Sequence, residues 1–136
     1  MKKKILLACL FAIISTTSAY CACDGGTTIT NTAGSTFCKS NTYMNWWSAQ
    51  AWCQANGSRL ATMYEMCPSW DGNEGSDECP ELNGLSSNSS KTAWSATVYG
   101  SNYAFVVNLL NGSVYGDPYY TSSSIRHSAS AYAFCR

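Results

Sequence analysis

The sequence predicts an α+β domain: two short helices, then an antiparallel sheet with a long irregular loop region, the whole stapled by disulfides. Three observations predict it. Two capped helical patterns, starting at Asn45 and Thr62, fall in the first half of the chain. The second half is rich in β-branched and aromatic residues and carries the turn signal Asn111-Gly112. Six cysteines, Cys23, Cys38, Cys53, Cys67, Cys79 and Cys135, are spread along the part that follows an export-type leader. Helices first and strands afterwards, without strict alternation, is the α+β order.

The leader sets the compartment. Lys2, Lys3 and Lys4 precede an unbroken apolar run from Ile5 to Ile14, and small residues follow up to Ser18-Ala19. That is the layout of a secretory signal peptide, and its lysine-led start has a bacterial look. The apolar run falls short of the roughly 20 residues a membrane-spanning helix needs, so no membrane insertion is expected. Residues 1–22 are thus read as a leader, cleaved after Ala19 or Ala22, and residues 23–136 as one domain. The protein would be secreted or held at the cell surface, with the periplasm as an alternative.

Cysteine usage agrees with export. Cys9 leaves with the leader, and cleavage after Ala22 also removes Cys21, so an even set of six remains. Disulfides are the usual reinforcement for exported domains of this size. Six cysteines allow 15 pairings, so spacing alone does not give the connectivity. Zinc is disfavoured because His127 is the only histidine and no Cys-x-x-Cys pair stands near a second ligand pair. The full chain balances 8 basic against 8 acidic residues. Losing the three leader lysines makes the mature domain mildly acidic, which excludes a nucleic-acid partner wanting a basic face.

Along the mature chain, Thr27 to Thr32 reads as a strand, Ala33-Gly34-Ser35 as a turn, and Thr36-Phe37-Cys38 as the returning strand. Cys23 and Cys38 could staple this entry hairpin. Asn45 is a helix N-cap, with Trp46, Ala49 and Cys53 on one face, and Asn56-Gly57 is the C-terminal stop. Thr62 to Glu65 fits a capping box, and Pro68 ends that second helix. Cys67 and Cys79 bracket an acidic, turn-rich loop. Thr92 to Tyr99 and Tyr103 to Leu110 read as strands, and Asn111-Gly112 as a type I′ turn into a third at Ser113 to Tyr115. An irregular segment from Gly116 to Ser128 precedes a final strand, Ala129 to Cys135.

These residues carry a resemblance. Trp46, Ala49, Cys53, Gly57, Leu60 and Ala61 resemble the first-helix motif of C-type lectin-like domains. Ala93-Trp94-Ser95-Ala96-Thr97, Ala104 to Leu109 with Asn111-Gly112, and Ala133-Phe134-Cys135-Arg136 are similar to the family's bacterial branch, as in the lectin-like C-terminal domain of bacterial collagen-like adhesins. The resemblance covers residues 23 to 136 and implies a C-type lectin-like fold. It also implies a Cys53–Cys135 bridge and the extra N-terminal bridge Cys23–Cys38. The Glu-Pro-Asn or Gln-Pro-Asp loop and the Trp-Asn-Asp strand of calcium-dependent sugar binders are missing, so that mode of coordination is carried to no position.

Function is expected to be binding of an extracellular glycan or protein. From Asn111 to Tyr132 the chain is dominated by Tyr, Ser, Asn and Gly, the mixture that gives antibody paratopes rigid aromatic area and adaptable hydrogen bonds. Tyr115, Asp117, Tyr119, Tyr120, Arg126 and His127 are the candidates there. Tyr99, Asn102 and Tyr103, at the neighbouring hairpin turn, would join them. Trp46, Trp47, Trp52 and Trp94 are expected in the core, and Trp70 lies in the acidic loop.

Asp71, Asn73, Glu74, Asp77 and Glu78 offer hard oxygen ligands for calcium, but the loop lacks the glycine and distant glutamate of an EF-hand. A solvated disulfide loop is preferred, and no cofactor or metal is expected. Catalysis is disfavoured: there is one histidine, no Gly-x-Ser-x-Gly elbow and no free thiol once six cysteines pair. The rivals are a structural component of a bacterial surface appendage or envelope and, behind it, a secreted hydrolase.

Overall fold

The computed structural model describes residues 23–88, 91–118 and 131–136. The leader at 1–22, and with it Cys9 and Cys21, lies outside the described residues. The elements in chain order are β1 (Gly26–Thr30), β2 (Thr36–Met44), α1 (Trp46–Ala55), α2 (Met63–Met66), a 3₁₀ turn (Pro80–Leu82), β3 (Thr92–Tyr99), β4 (Tyr103–Asn108), β5 (Val114–Pro118) and β6 (Ala131–Cys135). The class is α+β, with two helices and one sheet.

Both helices start as the sequence dictates. The Asn45 side chain accepts a hydrogen bond from the Ser48 amide, and Gly57, at φ 72°, takes the left-handed position past the end of α1. Thr62 and Glu65 exchange both bonds of a capping box around α2. A four-residue helix has no stability of its own, so this box and the burial of Met63 and Met66 are what hold α2 in place.

The six strands run in the order β1-β2-β6-β3-β4-β5. The expected all-antiparallel sheet is corrected in one place: β3 and β6 pair in parallel, through Ala93 with Tyr132 and Trp94 with Ala133. The cause is where the last strand goes. It does not extend the β3-β4-β5 meander but enters the slot beside β2, to which it is antiparallel, and so meets β3 running the same way.

The sheet is covered on both sides. Trp46, Ala49 and Cys53 of α1 pack with Leu60, Trp94, Val106 and Ala133 on one face. Met63, Met66, Trp70 and Leu82, from the segment between α1 and β3, pack with Phe37, Phe105, Val107 and Phe134 on the other. This is why residues 92–95 and 104–107 are buried without alternation. Trp47 corrects the expectation that the helix tryptophans are all core: it is 55% exposed, while Trp46 and Trp94 are buried. Trp70 is buried as well, although its neighbours are acidic.

Two bulges interrupt the sheet, and a buried serine repairs each. In β2 the register shifts between Lys39 and Tyr43. There Ser40 Oγ accepts from the Ala133 amide at 2.9 Å and donates to the Thr42 carbonyl at 2.8 Å. In β3 the shift lies between Trp94 and Val98, where Ser95 Oγ donates to the Phe105 carbonyl at 2.9 Å. The buried indoles are likewise satisfied, Trp46 Nε1 donating to the Ser95 carbonyl and Trp94 Nε1 to the Met44 carbonyl.

Three disulfides close the frame: Cys23–Cys38, Cys53–Cys135 and Cys67–Cys79. The first two are the pairs the resemblance implied. Such bridges belong to an oxidising compartment. Among the described residues, no helix is long and apolar enough to cross a membrane.

Cys53–Cys135 spans 82 residues, for which the chain-entropy account gives about 4–5 kcal/mol. Replacing Cys53 with Ala is expected to abolish folding or export. A normally exported variant with native-like unfolding would contradict that importance. Arg59 grips Glu65 with two bonds, at 2.8 and 2.5 Å, and that guanidinium bond lowers the Glu65 carboxyl from its ordinary 4.5 to about 2. The contribution is therefore present above pH 4.5 and lost as pH falls towards 2. The Arg59 side chain is 58% exposed, so solvent screening holds the pair below about 1 kcal/mol. Glu65→Gln should flatten that part of the stability–pH curve, as followed by thermal unfolding from pH 6 to 2.

Candidate functional site

Tyr99 and Tyr103 face each other across the β3–β4 hairpin, as the register pair next to its turn. Their rings meet edge to face at 6.5 Å between centroids, and they are 50% and 39% exposed. Asn102 is exposed in the turn between them. Strand periodicity places Tyr99, Tyr103 and Phe105 on one face of the sheet. Tyr99 accordingly meets Phe105 at 5.3 Å.

The aromatic contact continues inward. Phe105 packs edge-on against Trp70 at 4.8 Å, and Trp70 meets Tyr64 of α2 at 5.0 Å. Five rings thus form one row: Tyr103, Tyr99, Phe105, Trp70, Tyr64. The middle is buried and both ends are open, with Tyr64 57% exposed. The sequence did not point to Tyr64, Trp70 or Phe105 as site residues. They come from α2, the acidic loop and β4, and no spacing along the chain announces that they meet.

The disulfide loop between Cys67 and Cys79 lies against the row and is less solvated than expected. Trp70 Nε1 donates to the Asn73 carbonyl at 2.7 Å. Gly75 forms an isolated antiparallel bridge with Val114, bonding it in both directions. The Glu74 carboxylate accepts from the Gly116 amide. Beyond that glycine the nearest side chains are Tyr99 and Tyr103. One carboxylate is therefore fixed at the edge of the exposed tyrosine pair.

Asn111-Gly112 serves this docking rather than the expected two-residue turn. Gly112 is left-handed, with φ 71°, but Asn111 is not, so the turn is not type I′. Five residues separate β4 from β5 because Leu109 dips into the core instead of extending the ladder. The Cys79 amide donates to the Gly112 carbonyl at 2.9 Å, and a Cβ at Gly112 would collide with the Cys79 carbonyl.

The structure separates the other candidates. Tyr115 pairs with Val106 and packs half-buried on the α1 face, away from Tyr99 and Tyr103. Asp117 pairs with Ala104 in the β4–β5 ladder. Tyr119, Tyr120, Arg126 and His127 lie outside the described residues.

The acidic side chains of the loop mostly satisfy one another. Asp71 accepts from the Asn73 side chain and backbone, which lowers its carboxyl. Glu78 is raised by partial desolvation and by the neighbouring Asp71 charge. Among the described residues, the one grouping of three metal-type side chains is Cys67, Cys79 and Glu81, and its two sulfurs are already joined to each other. Compared with known proteins, the sequence matches no family model and no curated protein.

Gly112→Ala is expected to cost about 1–3 kcal/mol, because it imposes a left-handed non-glycine residue against a fixed carbonyl. A lowered midpoint in thermal unfolding checks this, and an unchanged midpoint would mean that the loop is not docked through Gly112. Calcium at millimolar concentration is expected to give no saturable heat in a calorimetric titration.

Proposed function

We propose that this protein is an exported binding and adhesion module of C-type lectin-like architecture, holding a tyrosine-rich surface against a glycan or protein ligand outside the cell. The observation that carries this is the row of five rings, buried at its centre and open at Tyr64 and at Tyr99–Tyr103. Fixed exposed rings suit a ligand with C–H faces, such as a sugar, because the contact costs little side-chain entropy. The Glu74 carboxylate at the rim, tied to the Gly116 amide, adds a hydroxyl-accepting group. A glycan is therefore the favoured ligand.

Several features support the architecture. A disulfide ties α1 to the last strand, a second closes the entry hairpin, and the first and last parts of the chain pair side by side in the sheet. A long, mostly irregular stretch between α1 and β3 covers one face. Export rests on the leader and agrees with the three disulfides.

A glycan and protein array, run with and without calcium, is the test. Glycan binding without added calcium, weakened about tenfold or more by Tyr99→Ala and by Tyr103→Ala, is the expected result. Self-association with no array binding would instead favour a structural component of the cell surface.

A further inference from the structure

A second cluster sits at the opposite end of β3 from Tyr99, where β2, β6 and the residue preceding β3 come together. At about 3.3 Å per strand residue, the eight positions from Lys91 to Tyr99 put it roughly 25 Å from the tyrosine pair. The β2 bulge brings Tyr43 into register with Tyr132, and their rings stack at 4.5 Å with an interplanar angle of 23°. Lys39 Nζ lies 3.8 Å from the centre of the Tyr132 ring. Lys91 Nζ lies 4.6 Å from that of Tyr43 and 5.7 Å from that of Tyr132. Two ammonium groups thus converge on one pair of phenols.

Among the described residues, neither ammonium meets a carboxylate. Among the described residues the ion pair formed is Arg59–Glu65, and the acidic loop is docked on β5, at the far edge of the sheet. Among the described residues, this positive charge is therefore concentrated and without a carboxylate partner, in a domain that is otherwise mildly acidic. A cation over one aromatic face is ordinary packing, worth about 0.5–1 kcal/mol when exposed. It accounts for Lys39 over Tyr132, but not for a second lysine brought to the same ring pair at the expense of mutual repulsion.

Lysine has donors only, and Lys39 gives one to the Ser40 carbonyl at 3.2 Å, leaving protons to spare. Hydrogen bonding by the neighbouring Tyr43 and Lys91 groups favours the ionised form of the Tyr132 phenol. Burial works against ionising this phenol, but those bonds and the Lys39 charge outweigh it and bring Tyr132 below the ordinary tyrosine value. The Tyr43 hydroxyl, followed by that of Tyr132, holds Lys91 above the ordinary lysine value. The cluster thus offers a ligand two ammonium groups beside a pair of phenols. Tyr43, 37% exposed, adds a ring surface beside it.

We infer that Lys39, Lys91 and Tyr132 bind the carboxylate of an acidic sugar residue, with the exposed Tyr43 ring contacting the sugar's C–H groups. A sugar acid fits better than a polyanion: two cations match one anionic group, and the adjoining ring surface has a use only if the anion carries an apolar face. The site shares no residue with the five-ring row and goes beyond the reading built on that row, so the two stand or fall separately.

The experiment uses the mature chain with its disulfides intact. Calorimetric titrations would compare trisaccharides bearing glucuronate, galacturonate or sialate with their uncharged methyl esters, alongside inorganic sulfate and a glutamate-rich peptide. At least one acidic trisaccharide should bind at least tenfold more tightly than its ester, and added salt should weaken it. Lys39→Met and Lys91→Met should each weaken it about tenfold, Tyr132→Phe severalfold, and Lys91→Arg least. Thermal unfolding identifies variants that have lost the fold, and for those the ester comparison and salt dependence on the native chain still decide. The inference is overturned if no acidic trisaccharide binds, if acid and ester bind equally, if folded Lys→Met variants keep full affinity, or if sulfate or the peptide binds as tightly as the sugars.

Discussion

The structure depends on β6 occupying the slot between β2 and β3. Without it the sheet would fall into two pieces, the β1–β2 hairpin and the β3-β4-β5 meander, which share no direct pairing. The strand is held there in three ways. Its backbone pairs on both sides, its Ala133 amide bonds the buried Ser40 hydroxyl, and Cys135 is joined to Cys53 on α1. Each attachment joins segments far apart in sequence. Their closure entropy is large, which is why a covalent bond across 82 residues is valuable in a domain this small.

The other structural constraint is polar. A sheet covered on both faces has nowhere to leave an unsatisfied group, yet two bulges break its ladders. Ser40 and Ser95 resolve this by placing a hydroxyl where the backbone lacks a partner, and the Trp46 and Trp94 indoles cap carbonyls beside the same irregularities. Both bulges set which aromatic side chains meet across the ladder. The β2 bulge brings Tyr43 level with Tyr132, and the β3 bulge precedes the pairing of Tyr99 with Tyr103. Among the described residues one exception remains: Glu81 Oε2 is buried without a bond, while its other oxygen accepts from the Ser69 amide.

Both proposed surfaces use the same device. Aromatic rings are fixed by a rigid strand pair and polar groups are held at their rim, by the docked disulfide loop at one end and by two lysines at the other. The loop is built of turn formers, yet Trp70 anchors it in the core and Gly75 adds it to the sheet edge. An acidic loop and a basic patch at separate ends of a mildly acidic domain leave each free of the other's charge.

Local features were legible in the chain itself. The Asn45 cap, the Thr62–Glu65 box, the strand runs and the Tyr99–Tyr103 hairpin depend on neighbours a few residues apart, and that is the range over which sequence pattern carries physical meaning. The type I′ reading of Asn111-Gly112 failed because a distant partner, the Cys79 backbone, claims the glycine. Trp47 was misassigned because it shares composition with Trp46 but not its face of the helix. The parallel β3–β6 pairing, the joining of Tyr64 and Trp70 to Phe105, and the meeting of Lys39, Lys91, Tyr43 and Tyr132 were decided by tertiary structure alone. Each depends on segments far apart in the chain: the route of the last strand makes the first and third, and the docking of the disulfide loop on β4 and β5 makes the second.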